Sequence, residues 1–216
     1  MAQVILDISV SLDGFVAGPR PTLDEPLGEG GELLHEWAYP LKSFQERHGR
    51  SGGETNVDSE LMDEGLRDRA ATVMGRRMFS GGAGPWEDDP NARGWWGDDP
   101  PFRHPVFVVT HHAREPLVLG ATTFTFVTAG VEAAIEQARA AAGDRDVVVA
   151  GGAAIAQQAL RAGRLDGMQL HLVPLLLGDG VRLFERHVAD APRKLQSTRN
   201  VESPTGVAHL TYRSAP

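Results

Sequence analysis

Apolar and polar positions alternate along Val4–Val10, a stretch rich in Val and Ile, and this predicts a first strand. Ser11–Pro21 carries Gly14, Gly18, Pro19 and Pro21 and is predicted to be a loop. Leu33, Leu34 and Trp37 at helical spacing predict a helix over Glu32–Tyr39, which Pro40 ends unless it starts a second one through Phe44. The polar, glycine-rich Gly49–Glu54 reads as a surface loop. Asp58 is the expected N-cap of a helix through Ala70 with Leu61 and Leu66 inward. Thr72–Met74 reads as a short strand. Ser80–Pro101, a long run of Gly, Pro, Asp and Trp, reads as a loop packed by Trp86, Trp95 and Trp96. Val106–Thr110 and Thr123–Val127 have the pattern of buried strands. Val131, Ile135 and Ala138 share one side of a helix over Val131–Ala142 that Gly143 stops. Val147–Ala150 is a strand and Ala154–Ala162 a helix ended by Gly163. Met168–Leu177 is an apolar strand interrupted by Pro174. Leu195–Val201 and Val207–Tyr212 form a terminal hairpin around Pro204–Gly206.

Strands separated by helices over most of the length predict an α/β fold, a mainly parallel sheet with helices on both faces. The terminal hairpin adds an antiparallel edge. No internal repeat or linker divides the chain, so residues 1–216 read as one domain.

Two strand ends carry candidate chemistry. Ala150–Gly151–Gly152–Ala153 joins a strand to a helix start, where unsatisfied N–H groups and the positive helix end favour an anion. Glycine lets a phosphate approach the backbone. Met74–Gly75–Arg76–Arg77 is a turn of similar character, and its two guanidiniums can fork onto phosphate oxygens. Both turns have plainer readings, as tight packing and as solvated arginines. Together they predict a ligand with several phosphates, and a dinucleotide is the economical choice. GxGxxG, GxxxxGK[ST] and HExxH are all missing. Thr110–His111–His112 ends a strand at the edge where ligands bind in parallel sheets. His104, His111 and His112 lack a carboxylate at ligand spacing, so no metal site is expected. Asp13 either acts as an acid or caps its own turn.

Composition narrows the classes. The net charge of −8 argues against a nucleic-acid or anionic-membrane partner. The absence of cysteine excludes disulfides, thiolate catalysis and Cys-ligated metals. No signal peptide or spanning segment is evident, so a cytoplasmic protein is expected.

Five segments in order resemble the dihydrofolate reductase-like superfamily, and especially the reductase domain of bacterial bifunctional riboflavin-biosynthesis deaminase-reductases. They are Ser11–Gly18, Thr72–Phe79, Val106–His112, Val147–Leu160 and Leu170–Phe184. Gly28–Trp37 resembles a stand-alone branch of that family without a deaminase domain. The resemblance implies the three-layer dihydrofolate reductase-like fold, NADPH as cofactor and a homodimer. Carried over, Gly75, Arg76, Arg77 and Met78 hold cofactor phosphates, and Thr110 and His111 flank the adenosine ribose. Gly151, Gly152, Ala153 and Ile155 lie over the pyrophosphate. Ser9, Val10, Val16 and Ala17 flank the nicotinamide. On the substrate side, Trp37 and Trp86 are candidates for stacking on a flat ring, and Gln169 and His171 project to one face of their strand. The resemblance implies a reductase acting on a C=N or C=O bond. A non-catalytic nucleotide-binding protein and a true dihydrofolate reductase are the alternatives. The acidic residue that dihydrofolate reductase carries on the helix after its first loop has no counterpart, because the Arg20–Gly31 insertion displaces that helix.

Overall fold

The computed structural model describes residues 2–185 and 192–214. Its strands are β1 (Val4–Ser11), β2 (Phe15–Ala17), β3 (Arg69–Gly75), β4 (Val106–Val109), β5 (Leu117–Leu119), β6 (Thr122–Val127), β7 (Asp146–Gly151), β8 (Gly167–Val173), β9 (Val181–Arg182), β10 (Leu195–Glu202) and β11 (Ala208–Ser214). Its helices are α1 (Lys42–Arg47), α2 (Val57–Asp68), α3 (Arg76–Ser80), α4 (Gly130–Ala142) and α5 (Ala153–Arg161). Nine strands form one sheet in the order β10-β11-β8-β1-β7-β3-β4-β6-β5, while β2 and β9 pair separately. The centre is parallel, and β5, β10 and β11 run antiparallel to their neighbours. The mixed sheet expected from the strand–helix alternation is therefore present.

The two faces of the sheet differ in chemistry. Val4, Leu6 and Val10 of β1 join Val73, Val147, Val149 and Met168 in a core closed by Val131, Ala134, Ile135 and Ala138 of α4 and by Ile155 and Ala159 of α5. Side chains alternate along a strand. Asp7, Ser9 and Ser11 therefore turn to the opposite face, with Gln169 and His171 of β8 and His209 and Thr211 of β11 beside them in register. At the far end of that second face, Met74, Phe79, Val106, Val108, Phe124 and Phe126 form a separate apolar cluster.

Local expectations fail where side-chain chemistry overrides spacing. Glu32–Tyr39 is not a helix. A 3-10 turn over Gly31–Leu34 follows Gly30 in the left-handed region at φ 69°, with no side-chain cap, and turns continue to Tyr39. Helix α1 starts after Leu41 rather than at Pro40. Asn56, not Asp58, caps α2, accepting from the N–H groups of Asp58 and Ser59. Asp58 is instead fully buried in a polar network. The first loop contains β2, which pairs with β9; neither strand is predicted by the spacing, and nor is the short β5. Strand β8 stops at Val173, because Pro174 has no N–H to give the ladder. The terminal hairpin forms as expected.

Candidate functional site

The two glycine bends meet at the carboxyl ends of neighbouring strands. Met74 of β3 lies in register with Gly151 of β7. A Cβ on Gly75 would sit 3.0 Å from Ile155 Cγ1 and 3.7 Å from the Gly152 nitrogen, and one on Gly151 would sit 3.4 Å from Met78 Sδ. Gly151 has φ 134°, which L side chains rarely adopt, and the Gly151–Gly152 peptide is cis. A Cβ on Gly152 would meet nothing within 4 Å, so this bend opens outward. Among the described residues no side chain caps α5, and Gly152 O takes the N–H of Ile155 and of Ala156. The N–H groups of Ala153 and Ala154 have no protein partner among the described residues. Val10, Val16, Ala153 and Ile155 share one buried cluster behind the bend, and Ala17 is half-buried at the end of β2.

The cationic residues of the rim divide. The Arg76 guanidinium is buried, binds Ser80 and Asp89, and lies 3.5 Å from the Trp86 ring centroid. The expected fork from Arg76 onto a ligand is thus committed to Asp89 instead. Arg77 is exposed, as is His111 at the end of β4. Thr110 is buried and its hydroxyl accepts the N–H of His112.

Trp86 does not share a pocket with Trp37. Its ring packs edge-on to Phe79 and Phe126 in the far cluster, and the guanidiniums of Arg76 and Arg114 lie against it. Stacking on a substrate is closed to it. Asp13 is not placed for acid catalysis either. It accepts from Ser11 Oγ at 2.5 Å and from the N–H groups of Leu177 and Gly178, so it braces the first loop against the segment after β8. The Ser11 hydrogen bond holds its carboxyl below the usual value.

The polar face under Trp37 is the second half of the site. Trp37 Nε1 donates to Ser9 Oγ at 3.2 Å, and its ring lies 4.8 Å from that of His171 and 5.2 Å from that of His209. Asp7 binds Arg69 and accepts from His171 Nε2 at 2.8 Å. Burial opposes the charge on Asp7, but Arg69 and His171 outweigh it and hold this carboxyl well below the usual range. Gln169 is half-buried on the same face, next to Asp7 and Thr211 in register. Burial and the neighbouring Arg69 lower Arg47 to about 10, against the pull of Asp7. Among the described residues its Nε and Nη2 donate only to the carbonyl of Pro101, at 3.3 and 3.2 Å.

No motif or spacing marks Asp7, His35, Arg47, Asp58, Arg69, His104 or His209 as members of a polar site. One weaker signal is present: Asp7 and Ser9 alternate with Leu6, Ile8 and Val10 in the expected first strand, which the fold places inside the sheet. A charge there needs a partner.

His104 makes the stability of the fold pH-sensitive. Burial, then Arg47, Arg69 and Arg145, push it down to about 4, while its ring accepts or donates at Thr72 Oγ1. The unfolded chain takes up that proton near the ordinary value of about 6.5, so it binds more protons than the fold between these values. Stability therefore falls as pH drops from about 6.5 to about 4, by roughly 2–3 kcal/mol, and then levels. Urea unfolding at the two ends of this window measures it, and His104→Gln removes that part of the slope.

The model of the RibD C-terminal domain matches residues 2–208 of this sequence. No curated protein sequence matches. Among solved structures, one described as a riboflavin biosynthesis protein from Shewanella sp. PV-4 aligns with a TM-score of 0.67 at 20% identity, covering 99% of each chain. A diaminohydroxyphosphoribosylaminopyrimidine deaminase/5-amino-6-(5-phosphoribosylamino)uracil reductase from Thermotoga maritima aligns at 0.57 and 15% identity, over 99% of this chain and 57% of that one. Dihydrofolate reductase from Enterococcus faecalis, complexed with NADP(H), aligns at 0.52 and 12% identity, over 99% and 97%. The fold is dihydrofolate reductase-like, and the chain belongs to the RibD C-terminal domain family.

Proposed function

We propose that the protein is an NADPH-dependent reductase acting on a small heterocyclic or sugar-like substrate. A pyrimidine amine of the kind named for the Thermotoga maritima relative is the first choice. The observation that carries this reading is the convergence of Gly75 and Gly151–Gly152 on an uncapped helix start beside a buried polar face. The residues present fit the coenzyme. Unpaired N–H groups of Ala153 and Ala154 would hold its pyrophosphate, and the open side of Gly152 leaves room for it. The exposed Arg77 and His111 would meet a 2′-phosphate. Ser9, Val10, Val16 and Ala17 would form the wall beside the nicotinamide. A reduced nicotinamide supplies hydride.

The chain's own part is placement and exclusion of water. Trp37 packs over the face between Ser9 and His171 and would help to exclude water there. Arg47 gives the same face a positive charge, while Arg69 is paired with Asp7, and the Arg47 charge suits an anionic group on the substrate. Titration with NADPH, followed by quenching of tryptophan fluorescence, is expected to saturate. Oxidation of NADPH is expected with 5-amino-6-(5-phosphoribosylamino)uracil and not with dihydrofolate. No binding at millimolar NADPH would remove the reading.

Among the described residues β10 is paired on one side only and is exposed along most of its length. We take this free edge as the place where a second copy joins, and light scattering at micromolar concentration is expected to give a dimer mass. No described helix is long and apolar enough to cross a membrane.

A further inference from the structure

Helix α5 buries one polar side chain. Ala153, Ile155, Ala156, Ala159 and Leu160 turn into the core, and Gln157 turns in with them at 6% exposure. A buried amide costs free energy unless it is hydrogen-bonded, and an apolar side chain of that size would fill the space without the cost. Gln157 is fully engaged. Its Nε2, with two hydrogens to give, donates to the carbonyls of Arg182 at 3.2 Å and Leu183 at 3.1 Å. Its Oε1 accepts from Arg161 Nη2 at 3.5 Å.

The two carbonyls belong to the segment that holds β2. Strand β9 is only Val181–Arg182, two exposed residues paired with Ala17 and Phe15. So short a two-stranded pair does not hold itself in place. Gly14 O accepts the N–H of Leu183, Asp13 O accepts from Arg182 Nη1 at 3.1 Å, and the Arg182 guanidinium lies 4.5 Å from the Phe15 ring centroid. The approach is close as well, since a Cβ on Gly180 would sit 2.2 Å from Ala17 O. Strand β2 is thus placed by β9. Among the described residues, Gln157 is the one helical side chain that hydrogen-bonds this segment to the body of the protein.

Gln157 also stands one turn from the glycine bend. Four residues separate it from Ala153, about 6 Å along the helix axis. At its start α5 presents the N–H groups of Ala153 and Ala154, which by the proposed reading hold the pyrophosphate. One turn later it grips the segment that places Val16 and Ala17 beside the nicotinamide.

We propose that Gln157 is a positioning residue for hydride transfer, an assignment that rests on the reductase reading. It ties the wall beside the nicotinamide to the helix that holds the phosphates, so one element sets both ends of the coenzyme. Without its amide the helix start still meets the phosphates, but β2 loses its reference to that helix. The nicotinamide is then bound out of line with the substrate. A misplacement of about 1 Å can cost on the order of a hundredfold in rate, while the phosphate contacts stay as they are.

Gln157→Met keeps the length and the apolar stem and removes both donors. In the free protein, hydrogen exchange at the Leu183 amide and along β2 should quicken by about tenfold or more, with Val148 and Val149 of β7 unchanged. With NADPH and 5-amino-6-(5-phosphoribosylamino)uracil, kcat should fall by about tenfold or more, while the dissociation constant for NADPH from fluorescence quenching moves by less than about threefold. A side chain that only packs would tolerate Met, so unchanged exchange overturns the proposal. A loss of NADPH affinity in step with kcat also overturns it, because the phosphate end would then depend on the same amide. Faster exchange with unchanged kcat overturns the positioning role and leaves the reductase reading standing. No turnover by the wild type overturns the reductase reading and this proposal with it. Gly180→Ala displaces Ala17 from the outer side without touching α5, and the same split between kcat and affinity is expected. Should Gln157→Met fail to fold, this second variant decides, and an unmoved kcat in it overturns the proposal.

Discussion

Ala154→Asp is expected to make the protein more stable and worse at holding NADPH. Ala154 is exposed in the first turn of α5, and its N–H has no protein partner among the described residues. A carboxylate there complements the positive helix end and stabilises by about 0.3–1 kcal/mol. The same charge repels the coenzyme's pyrophosphate and competes for the amides it needs. A loss of roughly tenfold in affinity, about 1.4 kcal/mol, is expected from that repulsion. The opposite signs make the result diagnostic, since a damaged fold would lower both quantities. Fluorescence quenching by NADPH gives the affinity and a thermal melt gives the stability. An unchanged dissociation constant would show that the phosphates lie elsewhere.

Asp7→Asn should be the most damaging single change on the polar face. It leaves the partly buried Arg69 without its carboxylate, and the amide oxygen that remains beside His171 Nε2 carries no charge. Removing one partner of a fully buried pair costs about 3–5 kcal/mol, because the other charge stays in place uncompensated, and this partly exposed pair should cost about 3 kcal/mol or less. Asp7→Leu combined with Arg69→Met should recover much of the loss, since well-packed apolar side chains often replace such a pair without cost. The sign of the pH effect follows from the depressed Asp7 value. In the wild type this contribution is present above the ordinary aspartate value of about 4 and is lost as pH falls below it. Urea midpoints for wild type and Asp7→Asn should therefore converge as the solution is acidified. A constant gap down to acid pH would mean that Asp7 is not ionised in the fold.

The regular parts of this chain are written in its apolar periodicity. Val147–Ala150 and the stripe Val131, Ile135 and Ala138 can be read directly, because burial against a sheet demands those patterns. The glycine rim is also legible, since Gly75 and Gly151–Gly152 end strands and open helices. The polar face is not. Asp58 looks like a helix cap by position, yet the fold gives that role to Asn56 and sends Asp58 toward His209, 151 residues away. Trp37 and Trp86 look alike in sequence, but one packs over polar groups while the other has two guanidiniums against its ring. Arg76 looks like a phosphate ligand until Asp89 is seen to claim it. Long-range polar pairing has no period, and so spacing cannot reveal it.

The order of the sheet has a consequence for how the molecule is made. Strand β11 lies inside β10, against β8, although it is synthesised after it. While a nascent chain is still on the ribosome, β8 is a raw edge and Asp58 waits for an imidazole that has yet to emerge. The closing hairpin must dock as a unit, with its later arm first against the sheet. Such distant pairing is slow, and so the polar interior is completed only once β11 has docked against β8.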